Sequence, residues 1–344
     1  MPQLRIAQIM ASGPVAGGVE KHFVDLCKGL AHEHQVWAIA DPAHGKDFPG
    51  NVEFIPFDFS GSRRNPFNLL RLHKVLKGVC PHVVHAHANK AAQMVANLRL
   101  FQDSSRVATV HGFKTSNRVF RHFDSVICVS HAIREQVDLP QSVVILNGID
   151  PPTAPVKETD FFRRECGFYK DRPVVLAAGR LAPVKGYAGL IRAWQGMNAD
   201  LVIAGEGPER FTLESLIQKL NLRDTVHLAG FRRDVPKLMA HSDLVVISSQ
   251  REGFPYAMVE ALHMEKVIVS TRFAGAEGFL PAAFLVPCED ESALHQVIHH
   301  ALHTPHESQR AYRHVWQWAK SELTVERMVA STHHVYSHLV TRAA

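Results

Sequence analysis

The 344 residues contain no apolar run approaching the ~20 that a membrane-spanning helix requires. The opening stretch, MPQLRIAQIM, lacks the charged and apolar regions of a secretory signal, so the chain is expected to stay in the cytoplasm. Cysteine is sparse. Cys27, Cys80, Cys128, Cys166 and Cys288 show no paired spacing, which argues against disulfides or a zinc module and predicts reduced thiols packed in a core. A dinucleotide fingerprint is absent too: the glycines of SGPVAGG (12 to 18) are Gly13, Gly17 and Gly18, not GxGxxG. Only Asp41, after the strand-like HQVWAIAD, keeps a dehydrogenase-type reading open. Acids are nearly missing between Gly61 and Arg121, where eleven Lys or Arg face the single Asp103. That segment carries a formal +10 against +5 for the whole chain, so the remainder is net acidic.

What is present is the composition of a soluble globular protein, 46% hydrophobic and 21% charged, at a length that suits roughly two domains. LRIAQIMA (4 to 11) is apolar enough for a buried strand, and VEKHFVDLCKGL (19 to 30) sets Val19, Phe23, Leu26 and Leu30 on one helical stripe. VEFIPF, PFNLLRLHKVLKG, PHVVHAHA, RVATVHG, DSVICVS and SVVILNGID continue the alternation. Such a pattern implies a parallel sheet with helices on both faces and ligand sites at the carboxyl ends of its strands. His87, His111, Ser130 and Asn147 fall at such ends, and Gly112 leaves room for a substrate beside His111. His85 and His87 share a strand face, but no carboxylate or cysteine completes a ligand set, so no metal is expected. Gly17 and Gly18 let backbone approach a phosphate or a bound sugar at a helix N-terminus. Within the basic segment, RRNPFNLLRLHKVLKG (63 to 78) interleaves Phe67, Leu70 and Val75 with Arg71, Lys74 and Lys77, as an interfacial helix does. That face suits anionic lipid head groups or a phosphorylated acceptor; nucleic acid is not expected, since no recognisable module accompanies the charge.

Three prolines in five residues open the stretch from Pro151 to Asp171, which reads as a linker. A second α/β unit follows. VVLAAGRLAPVKGYAGLIRAW (174 to 194) is a strand, a loop and a helix, with Arg180 at the strand end and Lys185-Gly186 at the helix entry. Together the two cations make a diphosphate clamp, Arg by its fork and Lys as a point charge. LVIAGEGP and VHLAGF end in glycine turns, and LVVISS (244 to 249) leads into REGFPYAMVEAL (251 to 262), with Pro255 in the first turn of a helix. A helix N-terminus at a strand's carboxyl end attracts anions. Glu252 and Glu260 would repel a phosphate there, so they suit the hydroxyls of a sugar or ribose. Near the C-terminus, His295, His299 and His303 form a surface stripe at i, i+4 and i+8.

GRLAPVKG (179 to 186), AGEGPE (204 to 209), LAGFRRDV (228 to 235) and EGFPYAMVEAL (252 to 262), in this order, resemble the donor-binding half of glycosyltransferase family four. GGVEKH (17 to 22), VVHAH (83 to 87), TVHG (109 to 112), ICVS (127 to 130) and ILNGID (145 to 150) resemble its acceptor half. The resemblance implies an α/β protein of the GT-B fold: two Rossmann-like domains facing across a cleft, with the C-terminal helix returning to the N-terminal domain. It sets an acceptor domain at 1–152, joined by the returning residues 311–344, and a donor domain at 153–310. By the same resemblance Arg180 and Lys185 hold the donor diphosphate and Glu260 the ribose hydroxyls. Glu252 and the backbone amides of Gly253 and Phe254 lie by the donor sugar and phosphates, with the Gly230-Phe231 turn near the base. His111 touches the transferred sugar, and the Gly17-Gly18 loop closes on the phosphates.

The implied activity is a retaining, metal-independent hexosyl transfer with no cofactor. The nucleotide-sugar donor is expected to carry UDP, on family frequency. The acceptor is a lipid-linked or lipopolysaccharide glycan of bacterial type, met at the inner face of the cytoplasmic membrane. A nucleotide-sugar 2-epimerase of the same architecture and a non-catalytic sugar-nucleotide-binding subunit remain alternatives. The chain departs from the family's pattern in HMEKVIVS (263 to 270) and in AGAEG (274 to 278), a loose version of the expected glycine motif.

Overall fold

The computed structural model describes residues 3–13, 17–48, 50–98, 104–152, 158, 160–167 and 172–343. Residues 14–16 of the glycine loop, Arg99 and Asp103 of the basic segment, and much of the proline-rich stretch lie outside the described residues. The chain divides into two compact units, one of residues 1–150 with 323–344, the other of residues 151–322.

In the first unit, the strands β1 (Arg5–Met10), β2 (Gln35–Ala40), β3 (Val52–Pro56), β4 (Val83–His87), β5 (Ser105–Val110), β6 (Ser125–Cys128) and β7 (Ser142–Val144) form one parallel sheet. Their order is β3-β2-β1-β4-β5-β6-β7. The inner strands β1, β4 and β6 are buried almost end to end, as expected where helices cover both faces, while the edge strands β3 and β7 are partly exposed. Helix Gly18–Leu30 turns Phe23, Leu26 and Leu30 into this core, with Val19 at its margin. The last helix, Val325–Ala343, packs against it through Met328, Val329 and Tyr336. Its entry is fixed by backbone: Ile149 N–H donates to the Leu323 carbonyl at 3.0 Å and Val325 N–H to the Ile149 carbonyl at 3.2 Å. A Cβ at Gly148 would stand 2.1 Å from the Thr324 carbonyl oxygen, so the approach tolerates only glycine.

The second unit holds β8 (Val174–Ala178), β9 (Asp200–Ala204), β10 (Val226–Gly230), β11 (Leu244–Ile247), β12 (Ile268–Thr271) and β13 (Leu285–Val286), again parallel, in the order β10-β9-β8-β11-β12-β13. Each sheet reverses its strand order once, between β1 and β4 in the first and between β8 and β11 in the second. These are the switch points at which open α/β sheets bind ligands.

Several expectations need correction. Residues 311–322 do not return to the first unit; they belong to helix Pro305–Glu322 of the second, where Tyr312 donates to the Ile268 carbonyl and Trp316 to the Lys266 carbonyl. The stretch taken as a linker contains helix Phe161–Cys166, whose Phe161 is buried and stacked on His241. Cys80 is exposed rather than in the core, because it caps helix Pro66–Val79 with left-handed backbone. Asp41 is spent as a cap, accepting from Ala43 N–H at 3.0 Å, which removes the acid that a dehydrogenase-type reading needs. Ser130 likewise caps helix His131–Val137.

Candidate functional site

The second unit's switch point is built by two loops. One leaves β8 through Gly179 and Arg180 and makes a short 3-10 turn, Pro183–Lys185, before helix Tyr187–Ala193. The other leaves β11 through Ser248, Ser249 and Glu252. Lys185 Nζ and Glu252 Oε1 meet at 2.5 Å, and Ser249 Oγ donates to the same carboxylate oxygen at 3.0 Å. The pair is partly buried, at 21% and 17% side-chain exposure, so water screens it little. Gly186 holds the loops together: its φ of +67° favours glycine, and a Cβ there would lie 2.1 Å from the Ser248 carbonyl oxygen. Ser248 Oγ donates to the Lys185 carbonyl at 2.8 Å, and Gln250 N–H to that of Val184 at 2.8 Å. Arg180 is exposed and makes no ion pair among the described residues, so its guanidinium remains available to an anion.

Pro255 is the N-cap of helix Tyr256–His263 rather than a residue of its first turn; its carbonyl accepts from Met258 N–H at 3.0 Å. The helix still opens toward Glu252, because Gly253 and Phe254 form the connecting bend. Phe254 is buried against Phe279, so its ring belongs to the core. Glu260 is half-buried on that helix. The divergent AGAEG stretch takes its place beside the bend, since a Cβ at Gly275 would come within 2.0 Å of the Gly253 carbonyl oxygen. Gly230 ends β10 with φ +71° beside the Glu206–Arg210 pair, and the next ring, Phe231, is 57% exposed. An adjoining cavity of about 210 Å³, lined by Pro183, Gly186, Ser248 and Gln250 of these loops, also carries Glu289, Asp290 and Glu291 and includes neither Arg180 nor Lys185.

The first unit's switch point carries a polar floor of histidines. His85 and His87 come from β4, His111 follows β5, and His22 enters from helix Gly18–Leu30, for which Gly17 is the N-cap. The His22 and His111 rings meet edge to face at 4.7 Å, and His87 Nδ1 lies 3.4 Å from His111 Nε2. His22 Nδ1 pairs with Asn147 Oδ1 at 3.1 Å. Burial depresses all four rings: His22 falls to about 4, its bond to Asn147 partly opposing the fall, while His85, His87 and His111 drop well below the usual imidazole range. They are neutral at pH 7.

His22 was not singled out by sequence reasoning, nor were Ser12 and Asn89, whose side-chain oxygens are buried without a hydrogen-bond partner at the carboxyl ends of β1 and β4. Ala88, between His87 and Asn89, has φ +62°, a strained conformation for a residue with a Cβ. In the sequence only the GGVEKH motif pointed at His22; nothing local marked the other two.

Residues 158–315 match the family described as "Glycosyl transferases group 1", and residues 16–152 match "Glycosyltransferase Family 4". The lipopolysaccharide core biosynthesis glycosyltransferase LpsE of Rhizobium meliloti is 27% identical over 77% of this chain and 78% of its own. LpsD of the same organism is 28% identical over 81% and 82%. Among solved structures, Anabaena HepE in complex with UDP and glucose superposes with a TM-score of 0.84 at 22% identity, covering 97% of this chain and 100% of that one. With two parallel sheets and matches to both halves, the chain is a glycosyltransferase of family four, with the GT-B fold.

Proposed function

We propose that the chain transfers a sugar, with retention of anomeric configuration and without a metal, from a UDP-sugar to a lipid-linked or lipopolysaccharide acceptor at a membrane face. The observation that carries this reading is the meeting of Lys185 and Glu252 at the β8/β11 switch point, next to Gly179, with the exposed Arg180 following it and making no ion pair among the described residues. A diphosphate there takes Arg180 and Lys185 as its counter-charges, and the helix opening at Tyr256 adds its dipole. Glu252, which holds Lys185 and Ser249, and Glu260 suit sugar and ribose hydroxyls, and the Gly253-Phe254 bend lies between them in sequence. In the first unit, His111 offers a neutral ring to a sugar hydroxyl.

In the step itself the bond from sugar C1 to the phosphate oxygen breaks and its electron pair stays with the diphosphate. The acceptor oxygen bonds C1 from the same face, and its proton passes to the departing phosphate oxygen. Arg180 and Lys185 stabilise the charge that this departure develops.

The lipopolysaccharide part of the proposal leans on LpsE and LpsD, and the UDP part on HepE, solved with UDP and glucose. Membrane contact is supported by helix Pro66–Val79, where Leu72 and Leu76 face inward while Phe67 is 75% and Leu70 64% exposed. Arg71 and Lys74 are exposed on the same helix, so apolar and cationic groups share its outer side. No helix among the described residues is long and apolar enough to cross a membrane.

The test is a transfer assay with UDP-sugars, lipid-linked and lipopolysaccharide acceptors, and EDTA. Acceptor-dependent UDP release and a product of unchanged anomeric configuration are expected. UDP released together with a free epimerised sugar, and no acceptor product, would replace the proposal with the epimerase reading.

A further inference from the structure

The histidine floor of the first unit has a geometry that a sugar contact does not require. Its hydrogen bonds determine where the ring protons sit. Gln8 Nε2 donates to Tyr336 Oη at 2.9 Å, so Gln8 Oε1 faces His87 Nε2, 2.7 Å away, and that nitrogen must donate. His87 Nδ1 is therefore a bare lone pair. Tyr336 in turn gives its hydroxyl proton to His85 Nδ1, and His85 Nε2 donates to Thr109 Oγ1 at 2.7 Å, so His85 is fully occupied and belongs to the support. His22 Nδ1 donates to Asn147 Oδ1, which leaves Nε2 of that ring bare as well.

We propose that His22, His87 and His111 form a three-imidazole site for a divalent transition-metal ion, zinc being the best match, and that the ion inhibits transfer. One nitrogen from each of the three rings lies within 4.8 Å of the others. Two nitrogens bound tetrahedrally to zinc at ~2.05 Å stand about 3.3 Å apart. The 3.4 Å between His87 Nδ1 and His111 Nε2 already matches that edge. The two edges to His22, at most 4.8 Å, close to about 3.3 Å with a ring movement of no more than about 1.5 Å. His111 needs only a change of tautomer, from Nε2–H to Nδ1–H, which moves no net charge.

The support is that of a ligand set: two of the three rings donate their second N–H to a side-chain amide, which fixes their orientation. All three are neutral at pH 7, the form that binds metal. Three neutral ligands leave a fourth position open, as at sites where zinc holds water or substrate. The inhibitory half of the proposal rests on the reading of His111 as a sugar contact, because an ion there takes the lone pairs that the sugar would meet. Binding itself does not rest on it. His85 and His87 looked incomplete as a metal pair in the sequence because the third and second ligands arrive from other elements, at His22 and His111.

The experiment is a calorimetric titration of the untagged, chelator-stripped chain with zinc chloride. It is run in a His34→Gln, His299→Gln background, because Glu33, His34 and His333 form a second candidate cluster and His299 stacks on His303. One bound zinc is expected, weakened tenfold or more by His22→Gln or His87→Gln and by roughly 10–100-fold by Asn147→Ala, which removes only the supporting amide. Cobalt substitution should give tetrahedral visible absorption that His87→Gln abolishes. His111→Gln, at the half-buried rim, covers the case in which a buried variant fails to fold. No zinc binding in the background chain, or binding indifferent to all four substitutions, overturns the site. Zinc bound at this site while transfer proceeds at full rate overturns the inhibitory half, without touching the UDP reading of the second unit.

Discussion

Acid should open the first unit before the second, and the histidine floor sets how far. Burial lowers His22 from 6.5 to about 4, so the folded chain keeps it neutral over a range in which the unfolded chain protonates it. Unfolding then takes up a proton, and stability falls as pH falls from about 6.5 to about 4; above 6.5 the contribution is fully present. At about 1.4 kcal/mol per pH unit for each proton, His22 alone accounts for about 3 kcal/mol across that window. His85, His87 and His111 are displaced in the same direction by the same burial and add to the slope. Asp25, whose carboxyl is raised by burial, works the opposite way but only in the carboxylate range. Against a typical total of 5–15 kcal/mol, the loss from His22 alone is a sizeable fraction of the stability by pH 4. Urea melts by circular dichroism between pH 7.5 and 4.5, with limited proteolysis to identify which unit opens, would measure it. The His22→Gln chain should show a slope shallower by one proton. A wild-type stability independent of pH over this range, or an equal slope in His22→Gln, would refute the reasoning.

Arg180→Ala and Lys185→Ala should each remove about 1.5–3 kcal/mol of charge-assisted phosphate bonding, seen as a loss of roughly 10–100-fold in kcat/KM with unchanged far-ultraviolet spectra. Gly186→Ala should cost about 1–2 kcal/mol for its left-handed backbone and more for its contact with the Ser248 carbonyl, displacing Lys185; thermal melts and kcat/KM together check it. Replacing Arg71, Lys74 and Lys77 with Gln should weaken binding to anionic vesicles by ~1 kcal/mol per charge in sedimentation assays, and leave nucleotide affinity unchanged. Equal vesicle binding would make that helix face ordinary solvated surface.

Most strands were legible because they are continuous apolar runs ending in glycine or a polar residue; LVIAGEGP and LVVISS became β9 and β11 with little displacement. Lys185, Gly186 and Glu252 were legible too, since each sits within a few residues of the strand end that positions it. The floor of the first unit was not. Its bonds join Gln8 to Tyr336 and His22 to Asn147, pairs separated by 328 and 125 positions, and no local periodicity carries such information. Helix ends were read slightly wrong for a local reason: Pro255 suits both N-cap and N1, because neither position needs its missing N–H. The division at 311 failed because helix Pro305–Glu322 and helix Val325–Ala343 are separated by only Leu323 and Thr324, and both are amphipathic. Which sheet each covers is decided by Tyr312 and Trp316 on one and Met328 and Tyr336 on the other.

The measurement that bears most directly on the donor site is a calorimetric titration of the purified chain with UDP, GDP and ADP, with and without EDTA, beside Arg180→Ala. The account predicts micromolar binding of UDP, indifferent to EDTA and lost in Arg180→Ala. Failure of all three nucleotides to bind, or binding that survives Arg180→Ala unchanged, would contradict it.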